Sequence, residues 1–106
     1  MFGFLFGKNK RIDGFATRMA DDFFSAIPQD VAKQYLGNKK DKKKTKAIDS
    51  RISDMTIQFQ QFKLKEKLGV YGKARLHLTF MSRLEVLGYD QDIAKRINEI
   101  ALLKST

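Results

Sequence analysis

The stretch IDSRISDMTIQFQQF, residues 48–62, decides the fold class of this chain. Its large apolar residues follow one another at alternating spacings of four and three: Ile48, Ile52, Met55, Phe59 and Phe62. Because an α-helix completes a turn in about 3.6 residues, this spacing places all five side chains on one helical face. The pattern predicts a long amphipathic helix over about residues 46–68.

The same periodicity predicts helices on both sides of this one. Apolar stripes cover about residues 11–26, 73–87 and 90–103. Pro28 suits the start of a short helix over about residues 28–36, because proline is favoured in the first helical turn. No segment has the strict alternation typical of a β-strand. We therefore expect an all-α protein.

Short connections between the last three predicted helices indicate how they pack. Glycines at 69–72 and 88 leave only a few residues for each connection. Neighbouring helices joined in this way fold back on one another to bury their apolar faces. We expect a small helical bundle with an antiparallel three-helix core, formed by the helices after residue 46 and joined by the N-terminal helices.

Length and composition favour one folded domain over residues 1–106. The chain has 42% hydrophobic residues and nine Phe, enough for a core. It has no Cys, which excludes disulfides and thiolate metal sites. No uncharged apolar run approaches the roughly 18 to 20 residues that span a bilayer. We therefore expect that the chain is not an integral membrane protein. We expect a cytoplasmic location.

Positive charge is concentrated in the middle of the chain. Residues 39–76 contain twelve Lys and Arg but only four Asp and Glu, and they account for +8 of the net charge of +9. The run at 38–46 predicts a mobile lysine-rich loop, because closely spaced like charges repel. Such a segment is either a solvated connection or a binding site for phosphates or anionic lipid. The candidate anion-binding residues are Lys39, Lys40, Lys42, Lys43, Lys44 and Lys46, supported by Lys63, Lys65 and Lys67.

The N-terminus MFGFLFGKNKR combines apolar residues with cations, as interfacial membrane anchors do. Residues 1–10 could form a flexible segment that contacts a membrane or a partner protein, or they could cover the end of the bundle as ordinary core. The candidate docking residues are Phe2, Phe4, Leu5, Phe6, Lys8, Lys10 and Arg11.

No pattern in the sequence indicates catalysis. His77 is the only histidine and lies among apolar residues of a predicted helix, which favours a structural role. No nucleotide-binding or nucleophile motif occurs, so we expect no enzyme, cofactor, metal or small-molecule substrate. A helix-turn-helix interpretation of residues 76–103 is disfavoured by Asp90 and Asp92 at the start of the last helix.

The sequence thus favours a non-catalytic interaction module with an anionic partner, which is lipid, nucleic acid or an acidic protein. Under the membrane interpretation the protein is peripheral. The alternative is a nucleic-acid-binding protein of low sequence specificity. A homo-oligomer formed through the helix that contains residues 48–62 is left open, because two heptads are too few to indicate a coiled coil.

Overall fold

The computed structural model describes the backbone of residues 2–37 and 42–104, and their side chains except for residues 2–6, 35–37, 42–45 and 47. The described part is a bundle of helices without strands. The helices are α1 (Phe2–Ala26), α2 (Gln29–Gly37), α3 (Lys42–Lys65), α4 (Val70–Leu87) and α5 (Gln91–Lys104). The expectation of an all-α bundle is confirmed.

The apolar stripes read from the sequence form one core. Side chains from α1, α3, α4 and α5 are buried together, and Phe59, Phe80 and Leu76 are fully enclosed. Phe59 of α3 joins three helices, because its ring centroid lies 5.6 Å from that of Phe15 in α1 and 5.0 Å from that of Phe80 in α4. Tilted and edge-to-face aromatic contacts of this kind add stability beyond the burial of area.

Several helix boundaries differ from the expectation. Residues 2–10 belong to α1, and the flexibility of this segment stays a prediction. Residues 42–46 belong to α3 rather than to a loop, and residues 38–41 lie outside the described part. The mobility of the lysine run stays a prediction. Apolar periodicity marks only the packed portion of a helix, and both helices extend beyond it.

The turn between α3 and α4 is built on a lysine rather than a glycine. Lys67 has φ of 52°, and the amide of Leu68 donates to the carbonyl of Lys63, which closes the C-terminus of α3. Gly69 instead precedes α4, and Gly72 lies inside it. A Cβ on Gly72 would lie 3.1 Å from the side chain of Leu68, so this glycine permits close packing of the turn.

The most extensive contact between helices is a parallel one, between α1 and α4. Arg75 donates two hydrogen bonds to the carboxylate of Asp13, at 2.9 and 2.8 Å, and Arg83 donates one to Asp21 at 2.9 Å. Both pairs join residues 62 positions apart, which shows that the two helices run in the same direction. The N-terminal helix is therefore part of the core, not an addition to a three-helix unit.

The remaining helices alternate in direction around this pair. Phe15 stacks on Phe62 with ring centroids 4.1 Å apart, and Arg11 pairs with Glu66. Residue numbers therefore fall along α3 as they rise along α1, and the two helices are antiparallel. His77 contacts Asn98, and only residues 88–90 join α4 to α5, so the two helices are antiparallel. Against the prediction from chain order, the backbone of α3 lies closer to α5 and α1 than to α4. The bundle is elongated, with extents of 52 × 24 × 19 Å.

Small residues explain why α1 and α4 lie so close. Ala16 and Ala20 are fully buried and share the helical face that carries Asp13 and Asp21 toward α4. We expect Ala20→Leu to overpack this contact and to lower the free energy of unfolding by about 1 to 3 kcal/mol in urea titrations. Ala74→Leu, on the exposed side of α4, is the control and should change it by less than about 0.5 kcal/mol. Equal unfolding midpoints for Ala20→Leu and the wild type would contradict a tight contact.

His77 is a buried residue that links three helices. Its Nδ1 lies 3.0 Å from Oδ1 of Asn98 in α5, and its ring packs edge-on against Phe59 in α3. Its Nε2 is buried without a hydrogen-bond partner among the described residues. The pKa of His77 is lowered to about 4, mainly by burial and secondly by the nearby Lys63 ammonium. The contact with Asn98 acts in the opposite direction but is the smallest of the three effects.

This depressed pKa predicts a loss of stability in acid. Between pH 6.5 and about 4 the unfolded chain binds the proton on His77 and the folded chain does not, so the free energy of unfolding falls as pH falls through this window. The full loss is about 3 kcal/mol. Urea titrations across the window should show this extra loss in the wild type relative to His77→Gln. Identical pH dependence in the two proteins would contradict it.

Candidate interaction surface

One end of the elongated bundle collects the starts of α1 and α4 and the ends of α3 and α5. The ammonium of Lys8 donates to the carbonyl of Lys67 at 3.4 Å, and Arg11 forms an ion pair with Glu66. These contacts place the first turns of α1 beside the α3–α4 turn. Since α5 runs antiparallel to α4, its C-terminal end lies at the same end of the molecule.

Large apolar side chains are exposed at this end. Leu64 is 72% exposed and Val70 is 89% exposed, so both apolar side chains lie largely outside the core. Five of the eight exposed large apolar residues of the described part lie here: Leu64, Val70, Tyr71, Leu102 and Leu103. Ile57, Leu78 and Val86 are the other three and lie farther along the bundle.

Cations lie in the same segments of the chain as these apolar residues. In segments 2–11, 63–74 and 100–104, Glu66 is the only acidic residue, and it is paired with Arg11. Six cations of these segments are exposed and Lys8 is partly exposed; the exposed six are Lys10, Arg11, Lys65, Lys67, Lys73 and Lys104. We call these seven cations and the five exposed apolar residues of this end the cationic pole.

The candidate anion-binding lysines do not form one surface. Lys46 and Lys65 are both exposed, but nineteen residues of α3 separate them, a distance of about 29 Å along the helix axis. Lys65 and Lys67 lie at the cationic pole, and Lys46 lies toward the opposite end. Lys39 and Lys40 lie outside the described residues. Lys42, Lys43 and Lys44 form the first turn of α3, and their side chains lie outside the described part.

Lys63 is not available to a partner in the way its neighbours are. Its side chain is buried, with 6% exposure, and burial together with the charge of Lys73 lowers its pKa. The α3 face that carries Lys63 points into the bundle, toward His77. This residue therefore leaves the set of candidate anion-binding residues.

The structure describes the side chains of only some of the candidate docking residues. Lys8, Lys10 and Arg11 belong to the cationic pole. Phe2, Phe4, Leu5 and Phe6 form the first turns of α1 and extend the helix beyond Lys8, but their side chains lie outside the described part. The structure thus brings the cations of the N-terminal segment together with Lys65 and Lys67, which the sequence had assigned to a different site.

Sequence reasoning missed the apolar part of the pole. It followed the residues that repeat at spacings of three and four, and Leu64 and Val70 fall outside those stripes. These positions could have marked an exposed apolar surface, because an apolar residue on the polar face of an amphipathic helix does not enter the core. Only the packed structure shows that three helix ends bring such residues together.

A second feature lies on the side of the bundle, between α1 and α3. A shallow groove of about 550 Å³ has Phe15 and Phe62 at its base and is bordered by Arg11, Arg18, Gln58, Gln61 and Lys65. The guanidinium carbon of Arg18 lies 5.6 Å from the centre of the Phe15 ring, in cation–π contact. No acidic residue lines this groove among the described residues.

The described residues contain no cluster of three or more His, Cys, Asp or Glu side chains that could hold a metal ion. Within the same part of the chain, no helix combines the length and apolarity needed to cross a bilayer. Comparison of the chain with protein-family models, with curated proteins and with solved structures finds no match.

Proposed function

We propose that this protein is a non-catalytic interaction module that binds anionic membrane surfaces through the cationic pole. The observation that carries the proposal is the presence of exposed Leu64, Val70 and Leu103 together with exposed lysines at one end of the bundle. This arrangement fits the boundary of a bilayer, where apolar groups enter the acyl region and cations meet the headgroups.

The apolar residues supply one part of the binding energy. Burying apolar surface stabilises a complex by roughly 25 cal/mol per Å², so a few leucine and valine side chains contribute several kcal/mol before the cost of association. The apolar sequence of residues 2–6, at the start of α1, would add to this contribution. Binding through so small an area is reversible.

The cations supply the other part. A lysine or arginine near an anionic surface contributes about 1 kcal/mol, and this contribution falls within a Debye length as salt is added. Glu66 is the one acidic residue of these segments and is paired with Arg11, so the pole as a whole carries a strong positive charge. The proposal therefore requires binding that weakens with salt.

A membrane explains the pole better than a nucleic acid does. Phosphate contacts use the lysines but leave Leu64 and Val70 without a role, since a sequence-independent nucleic-acid site displays cations and stacking aromatics. Tyr71 is the one exposed aromatic side chain of the described pole, and its hydroxyl accepts a hydrogen bond from Arg75. On this proposal the protein is cytoplasmic and peripheral.

Serine substitutions test the apolar part of the pole. We expect Leu64→Ser/Val70→Ser to lower the affinity for vesicles rich in phosphatidylserine by about tenfold or more, because these side chains lose their apolar contact. Co-sedimentation measures the affinity. The matched control is Leu78→Ser/Val86→Ser, which changes the same residue types at exposed positions away from the pole and should bind as the wild type does. Equal losses in both variants would contradict the proposal.

Charge substitutions test the cationic part in the same assay. We expect Lys67→Asn/Lys104→Gln to weaken binding more than Lys46→Gln/Arg51→Gln, which removes the same number of cations from the other half of the bundle. Asparagine suits position 67, because it tolerates a positive φ. Salt-sensitive binding to duplex DNA without binding to vesicles would overturn the membrane proposal in favour of a nucleic acid.

A further inference from the structure

The groove between α1 and α3 is bordered by hydrogen-bond donors; it shares Arg11 and Lys65 with the cationic pole but none of that pole's exposed apolar residues. Arg18 and Lys65 are exposed, and among the described residues neither has a carboxylate partner. Gln58 and Gln61, one turn of α3 apart, add side-chain amides to the same border. Two unpaired cations and two amides around one depression are a typical environment for a phosphoryl group.

Gly14 is the unexplained residue of this groove. It lies near the middle of α1, where glycine is among the least favourable residues, and it is exposed. A Cβ at this position would meet nothing within 4 Å, so packing does not require glycine here. Without a side chain, Gly14 leaves open space beside the backbone of α1 that is available to a ligand.

The distance between Arg11 and Arg18 along α1 indicates the size of a ligand that contacts both side chains. Arg11, Gly14 and Arg18 share one face of the helix, at intervals of three and four. The two arginines are seven residues apart, about 10 Å along the axis, with the glycine between them. Across this distance, a small ring that carries several phosphoryl groups can place a separate phosphoryl group at each arginine.

Arg18 is already held in place for such a ligand. Its guanidinium lies over the ring of Phe15, and that ring is stacked on Phe62 with an angle of 4° between the planes. A restrained guanidinium loses less conformational entropy when it binds an anion than a mobile side chain does.

From the groove, its cations and its glycine, we propose that this face binds a polyphosphorylated polyol, either as a soluble phosphate ester or as the headgroup of a phosphoinositide. The ligand would occupy the space beside Gly14, with its phosphoryl groups on Arg18, Lys65 and, at the far side, Arg11. Arg11 contributes least, because it is paired with Glu66. This site uses Arg11 and Lys65 of the cationic pole, but it does not need the apolar side chains on which the membrane contact depends.

Calorimetric titration with inositol hexakisphosphate near physiological salt tests the site. We expect Gly14→Glu to weaken binding by about tenfold or more, because a carboxylate would stand between the arginines. Gly14→Gln is the matched control, with nearly the same shape and no charge, and should weaken binding less. Both variants should unfold at a higher temperature than the wild type, because they replace an exposed helical glycine. Unaltered binding in Gly14→Glu would overturn the proposal.

A second pair of variants separates a built site from diffuse attraction. Arg18→Gln/Lys65→Gln should weaken the same titration about tenfold or more, and Lys46→Gln/Arg51→Gln should leave it near the wild-type value. Equal losses in the two variants would mean general attraction to a basic protein and would overturn the site.

Two further measurements identify the source of the ligand and keep this proposal distinct from the membrane proposal. Displacement of the protein from phosphatidylinositol bisphosphate vesicles by inositol hexakisphosphate would assign a lipid headgroup, and binding to the soluble compound alone would assign a free phosphate ester. Leu64→Ser/Val70→Ser should bind inositol hexakisphosphate as the wild type does. Loss in that variant would contradict a separate groove.

Discussion

The close parallel contact between α1 and α4 is the constraint on which the rest of this bundle depends. Ala16 and Ala20 leave room for α4, and the Asp13–Arg75 and Asp21–Arg83 pairs fix the register of the two helices. At the far end, the buried hydroxyl of Tyr89 donates to the carbonyl of Ile27, at the same offset of 62 residues. This register determines which residues of α1 lie beside the α3–α4 turn, and so it determines the composition of the cationic pole.

The helices themselves could be predicted from the sequence, because periodic burial is a local property of the chain. Ile48, Ile52, Met55 and Phe59 are all buried, as their spacing indicated. Which helices pack together could not be predicted in this way. Chain order favoured α4 as the partner of α3, whereas α4 packs most extensively on α1, because complementary charges and small residues lie on those two helices. These features have no periodic signal.

The candidate surface shows the same division. The sequence marked Lys8, Lys10, Arg11, Lys65 and Lys67, but it assigned them to two sites. The ion pair between Arg11 and Glu66, which are 55 residues apart, brings both sets to one end of the bundle. The lysine run at the start of α3 had suggested a binding site through its density alone, yet α3 holds Lys46 far from Lys65. The density of lysines along the sequence indicated a positive charge. Only the fold shows at which end of the bundle that charge is concentrated.

The central claim, that the cationic pole contacts a membrane, has a direct spatial test. The chain has no cysteine, so single cysteines at Val70 or Val86 can each carry one polarity-sensitive fluorophore. Both positions are exposed on α4, and they are sixteen residues apart, about 24 Å along the helix. On vesicles rich in phosphatidylserine, the account predicts a blue-shifted and brighter emission from position 70, with no change at position 86. An unchanged spectrum at position 70 while the protein is bound to the vesicles would contradict it.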